Sequence, residues 1–180
     1  MPERRSCGDC TVCCIVPGID TPQIQKVTGA ACRNCRVGGC AIYDDRPRAC
    51  RDFRCAWLDG ALDEDWRPDV SGVLAQGLTL EGRPGMSLML IADAVKTVRQ
   101  GWFVDYVQAA IQGGAKLLLA LPGPRGTRSA KLLLNTPGMV RAAAGSPEQV
   151  RQQLRQTVKT LRASSFEPLP LLNTGNDVSG

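Results

Sequence analysis

Hydrophobic positions are distributed unevenly along this chain. From about residue 70 onward they recur with a regular period, and before that they do not. Val73 to Leu80 and Ser87 to Ala92 read as strands, joined by Glu81-Gly82-Arg83-Pro84-Gly85, which is rich in turn formers. Trp102 to Gln112 reads as a helix: Phe103, Tyr106, Val107, Ala110 and Ile111 share one face, and Gly113-Gly114 supplies the stop. Lys116 to Leu121 and Lys131 to Asn135 form a second strand pair around a Pro/Gly/Arg-rich loop. Ser146-Pro147-Glu148-Gln149 is a capping box with proline at the first helical position. It opens a helix on which Val150, Leu154, Val158 and Leu161 line one face. This order predicts an α+β fold, a small mixed or antiparallel sheet with helices on one face.

The first 55 residues carry little periodicity. Gly8, Pro17-Gly18, Gly38-Gly39 and Pro47 punctuate them, as expected of loops folded around ligands. Only Thr21 to Val27 has a helical pattern there, with Thr21 as cap, Pro22 at the first helical position, and Ile24 and Val27 facing one way. The expected organisation is therefore a loop-rich cysteine region over 1–67, an α+β region over 68–164, and a loose tail over 165–180.

Composition and charge then change this picture. The 180 residues and 43% apolar content suit one ordinary domain, and no apolar run approaches the roughly 18 residues of a membrane span. The opening Met-Pro-Glu-Arg-Arg leads into cysteines rather than an apolar stretch, so no secretory signal is expected and the thiols should remain reduced in a cytoplasm. The net charge of +5 lies wholly after residue 67 without clustered aromatics, so neither nucleic acid nor membrane is an expected partner. Histidine is absent, which removes the commonest general base and every histidine metal ligand. Cysteine occurs 9 times, and every copy falls between Cys7 and Cys55.

Thiolates are soft, charged ligands, and two residues between cysteines make a turn that can aim both sulfurs at one point. The spacing occurs three times: Cys7 with Cys10, Cys10 with Cys13, and Cys32 with Cys35. Cys10, Cys13, Cys32 and Cys35 have the separation of a four-cysteine zinc site, and Cys40, Cys50 and Cys55 supply material for a second. Neighbouring side chains in extended backbone point oppositely, so Cys13 and Cys14 would serve different sites. Nine thiols thus suggest two metal sites or one polynuclear site, with one cysteine unligated or bridging. Zinc is the first expectation. Iron or an iron–sulfur cluster, in an iron–sulfur enzyme or electron-transfer module, is the alternative, because Cys7, Cys10 and Cys13 match part of a ferredoxin run. Disulfides and a redox-sensing thiol at Cys13-Cys14 are the other readings. Arg33, Arg36, Arg46, Arg48, Arg51 and Arg54 lie among these cysteines and either offset thiolate charge or are ordinary surface residues.

The segment Cys7-Gly8-Asp9-Cys10-Thr11-Val12-Cys13-Cys14 resembles the signature of the CxxCxxCC (YkgJ-like) family of zinc- or iron-chelating bacterial proteins. The second half of that pattern follows: Cys40, then Ile42-Tyr43, Arg46-Pro47, Cys50-Arg51, Phe53 and Cys55. The resemblance covers residues 7 to about 70. It implies a metal-chelating cysteine cluster in a cytoplasmic protein, with Cys7, Cys10, Cys13, Cys14, Cys40, Cys50 and Cys55 as ligands and either Cys32 or Cys35 as the intermediate one. Flagellin lysine methylases carry similar cysteine patterns, but this chain lacks an evident methyl-donor site, and that activity does not transfer.

The remaining features read as structural. Tyr43 and Arg46 are more simply loop-forming than substrate-binding, and Asp59, Asp63, Glu64 and Asp65 are more simply a solvated turn than a cation site. The segment from Pro122 to Arg128 does not match a phosphate loop. No pair of groups makes an acid–base couple, so the expectation leans away from an enzyme, and any protein partner stays unassigned.

Overall fold

The N-terminal region is built from short elements. In the computed structural model, which describes residues 5–169, it contains helix α1 (Val12–Ile15), strands β1 (Ile19–Thr21) and β2 (Ile24–Lys26), strands β3 (Cys35–Arg36) and β4 (Gly39–Cys40), and helix α2 (Arg48–Asp52). A 3-10 turn (Glu64–Trp66) and helix α3 (Pro68–Ser71) lead out of it. The helix expected over Thr21 to Val27 is instead the β1–β2 hairpin, with Thr21 opposite Ile24 and Ile19 opposite Lys26. Pro22 and Gln23 form its tip. The Thr21 hydroxyl donates to the Ile24 carbonyl at 3.1 Å and accepts from the Ile24 amide at 3.3 Å, so the side chain that was read as a helix cap closes a turn.

The second region is a four-stranded sheet in the order β5 (Val73–Leu80), β6 (Arg83–Leu90), β7 (Lys116–Leu121), β8 (Ala130–Leu133). The β6–β7 pair is parallel and its neighbours antiparallel, so the fold is α+β with a mixed sheet, as the element order implied. The turn between β5 and β6 is shorter than expected. It occupies only Glu81 and Gly82, both at positive φ, and Pro84 already belongs to the strand. Proline is tolerated there because β7 begins to pair only at Gly85.

The parallel step requires a crossover, supplied by α4 (Ala94–Thr97) and α5 (Gly101–Gln112). Two more helices follow β8: α6 (Pro137–Ala144), unforeseen from the sequence, and α7 (Pro147–Arg162). On one sheet face Val73, Leu88, Leu90, Leu117 and Leu119 pack against Phe103, Val104 and Val107 of α5, Met139 of α6, and Val150, Leu154, Val158 and Leu161 of α7. Each of these side chains is almost wholly removed from water, which contributes roughly 1.5–3 kcal/mol apiece. The Ser146 capping box is present as read, with Gln149 reciprocating.

Residues 56–66 fasten the cysteine region to this core. The Ala56 amide donates to the Ala75 carbonyl at 2.8 Å along the free edge of β5, and Trp57, Leu58, Leu62 and Trp66 join the same apolar cluster. The start of the expected loose tail is also held. Leu169 N–H donates to Gly126 O and Arg128 N–H to Glu167 O, both at 2.8 Å, while residues 170–180 lie outside the described residues. No described helix is long and apolar enough to cross a membrane.

Gly72 connects the two regions at φ 71°, and a Cβ there would come 2.6 Å from that of Ala92. Gly72→Ala should therefore cost about 1–3 kcal/mol in denaturant unfolding. Gly77→Ala, with open space around it, should change stability by less than about 0.5 kcal/mol. Equal effects at the two positions would refute this account.

Candidate metal centre

Backbone turns bring the cysteines together. Gly8 adopts φ 54°, and Cys10 N–H bonds to Cys7 O at 3.0 Å, closing the first Cys-x-x-Cys turn. Cys14 N–H bonds to Thr11 O at 2.9 Å as α1 begins, and Cys32 N–H returns to Cys14 O at 2.8 Å, drawing the second cysteine pair onto the first. Cys35 and Cys40 face each other across the β3–β4 hairpin. Pro47 opens α2, and Cys50 N–H bonds to its carbonyl at 2.9 Å.

Seven of the predicted ligands, Cys7, Cys10, Cys13, Cys14, Cys32, Cys40 and Cys50, line one cavity of about 290 Å³. Its other walls include Ile19, Ile24, Ile42 and Phe53, with Tyr43 and Arg46. Cys55 borders a small adjoining space of about 20 Å³ together with Cys7, Cys10 and Cys13, and Cys35 touches the Cys14 sulfur. All nine cysteines are free thiols. As the side chains stand, no group of three or more Cys, Asp or Glu among the described residues is disposed to hold a metal ion. The sulfurs share a cavity wall without converging on a point.

Cys13 and Cys14 do not diverge as expected of extended backbone. They lie in α1, and the Cys13 thiol hydrogen-bonds to the sulfurs of both Cys14 and Cys7. Those bonds are the main cause that lowers Cys7 and Cys14 to about 6, and they push Cys13 far above the ordinary thiol range. Tyr43 and Arg46 also favour the Cys7 thiolate, and Lys26 and Cys35 favour that of Cys14, in each case against burial. The three sulfurs titrate as a unit, one proton serving two thiolates. Burial raises Cys10 to about 11, with the Asp69 carboxylate adding to the effect. Burial also raises Cys35, Cys50 and Cys55. Cys32 accepts from Asn34 N–H and Cys55 from Leu58 N–H, both at 3.4 Å.

The arginines divide between the two roles. Arg33 and Arg36 donate to backbone carbonyls, as does Arg51. Arg48 pairs with Asp52 and Arg54 with Asp59. Arg46 acts on sulfur: it lies over the Tyr43 ring at 3.6 Å, donates to the Tyr43 carbonyl at 2.7 Å, and favours the Cys7 thiolate. Tyr43 is structural too, its hydroxyl accepting from Cys7 N–H at 3.3 Å. Asp59 and Glu64 are engaged with Arg54 and Arg5 on the surface. The residue that sequence reasoning missed is Lys26, buried at 6% exposure and bonded to the carbonyls of Ile15 and Pro17 just after Cys14. It is the sole lysine among nine arginines in residues 1–67, and that contrast was its available signal.

The donor set suits a thiophilic ion: nine thiols, no histidine, apolar walls and cations beside the sulfurs. Comparison with protein-family models, with curated proteins and with solved structures returns no match.

In the reduced, metal-free protein, iodoacetamide at pH 7 should label Cys7 and Cys14 first, with rates falling as pH drops through about 6. Cys10, raised to about 11, should remain unreacted, as peptide mass spectrometry would show. Uniform labelling with a midpoint in the ordinary thiol range of about 8.5 would contradict the proton-sharing trio.

Proposed function

We propose that the protein chelates zinc or iron through its N-terminal cysteine cluster. The observation that carries the reading is the single cavity walled by seven free thiols from four stretches of chain. The resemblance of residues 7–55 to the CxxCxxCC proteins points the same way. Cys7, Cys10, Cys13, Cys14, Cys32, Cys40 and Cys50 would supply ligands, with Cys35 and Cys55 adjoining. Binding requires the sulfurs to turn inward from the cavity wall, so metal uptake and ordering of these loops are coupled. One shared cavity favours a polynuclear arrangement, such as an iron–sulfur cluster, over two separated zinc tetrahedra. Bound metal would cross-link loops that have almost no apolar core of their own and, as a cluster, would supply one-electron transfer.

Protein purified anaerobically should contain zinc or iron in stoichiometric amount, and iron–sulfur loading would give a brown solution absorbing near 400 nm. Stripping the metal should expose residues 7–55 to protease while the sheet and α5–α7 resist, because binding free energy on the order of 10 kcal/mol per structural site is also folding free energy. Metal-free preparations with unchanged proteolysis would overturn the proposal.

The Cys7–Cys13–Cys14 contact favours a second reading, a thiol redox protein. Two of these sulfurs would join as a disulfide, passing two electrons and the trio's one shared proton to an oxidising small-molecule disulfide, which leaves as a thiol and a thiolate. A metal-free protein that loses two thiols per molecule on mild oxidation would support that reading instead.

A further inference from the structure

Lys26 is buried, yet among the described residues no carboxylate pairs with it. Its Nζ donates to the carbonyls of Ile15, at 2.9 Å, and Pro17. Those acceptors are neutral. They satisfy hydrogen bonds but cannot offset the cost of taking an ammonium out of water. Burial pushes the Lys26 pKa below the ordinary lysine range, and the sulfurs of Cys32, Cys14, Cys13 and Cys50, all on the cavity wall, act in the opposite direction by favouring the ammonium. The carbonyls it grips flank the stretch that follows Cys13-Cys14, so the ammonium is locked at one place rather than free to reach solvent.

We infer that Lys26 is the buried counter-charge of the thiolate site, placed to neutralise the negative charge that the sulfurs acquire when they take up metal. The inference rests on the metal-binding reading above and adds a residue to it. Four thiolates around a divalent ion leave an excess of two negative charges in an apolar cavity. Arg46 answers that charge from the Cys7 side and Lys26 from the side of Cys14 and Cys32. Lys26 touches no metal in this scheme; it acts through the ligands, as a positioning residue.

The test is zinc affinity, measured by competition with a chelator on reduced wild type and on Lys26→Gln, Lys26→Met and Lys26→Arg. Lys26→Gln keeps a donor for the carbonyls but loses the charge, and it should bind zinc about 10–100-fold more weakly, as should Lys26→Met. Lys26→Arg should stay within about threefold of wild type. Proteolysis of the metal-free proteins separates charge from packing: metal-free Lys26→Gln should be cut within residues 7–55 no faster than metal-free wild type. Wild-type affinity in Lys26→Gln would overturn the inference, and so would equal losses in all three variants or faster cutting of the metal-free Gln variant. Wild type that takes up neither zinc nor iron would remove the metal reading itself, and the counter-charge with it.

Discussion

The cysteine region depends on how negative sulfur is accommodated in a cavity whose walls include Ile19, Ile24, Ile42 and Phe53. Thiols are tolerable in an apolar cavity; thiolates are not, unless something positive or hydrogen-donating stands beside them. Three devices serve here. Cys13 lends its proton to Cys7 and Cys14 together, Arg46 stands over Tyr43 next to Cys7, and Lys26 is buried with its ammonium on the carbonyls of Ile15 and Pro17. Remove all three and Cys7 and Cys14 would lose the neighbours that favour their charged state.

Such a site needs a platform, because elements of two to five residues cannot hold themselves together. The platform is the edge of the mixed sheet. Ala56 continues the hydrogen bonding at β5, and Trp57, Leu58 and Trp66 enter the helix-side core, while Leu74 on the opposite face of β5 borders the small space shared by Cys7, Cys10, Cys13 and Cys55. The cysteine region is held both at its start and near its middle. Arg5 donates to the carbonyls of Trp57 and Leu62, and Gly126 N–H, in the loop between β7 and β8, reaches Thr28 O at 3.0 Å. A loop with no resemblance to a phosphate binder thus has a mechanical use.

How much was legible in the sequence follows from what fixes each element. Residues 102–112 and 147–162 are helices because a stripe of Val, Leu, Ile and Phe must face a sheet, and such a stripe is visible at its own period. Residues 73–80 and 116–121 appeared at their bounds for the same reason. α6 did not, although Thr136-Pro137 caps it and Met139, Ala142 and Ala143 fill its buried face. Alanines contribute little hydrophobic contrast, and the neighbouring capping box at Ser146 drew the boundary away. Within 7–55 the elements are set by hydrogen bonds between distant turns, such as Cys32 to Cys14, and no periodicity records those. That the cysteines belong together was legible from spacing. How Cys13 and Cys14 face each other was not, since it turns on four residues being helical rather than extended.

The misread segment over 21–27 bears directly on chemistry. On a helix, Ile24 and Val27 would share a face, and Lys26, 100° from Val27, would swing toward solvent as lysines usually do. In a strand the period is two, so Ile24 and Lys26 point the same way, and burying the first buries the second: their exposures are 4% and 6%. The hairpin tip at Pro22-Gln23 decides which period applies. A two-residue turn, closed by one threonine hydroxyl, thereby converts a surface cation into one buried behind the cavity wall, where four sulfurs favour its charge. Backbone geometry of the hairpin that forms part of the cavity wall helps set its electrostatics, and the charge of the site is a property of the fold rather than of the cysteines alone.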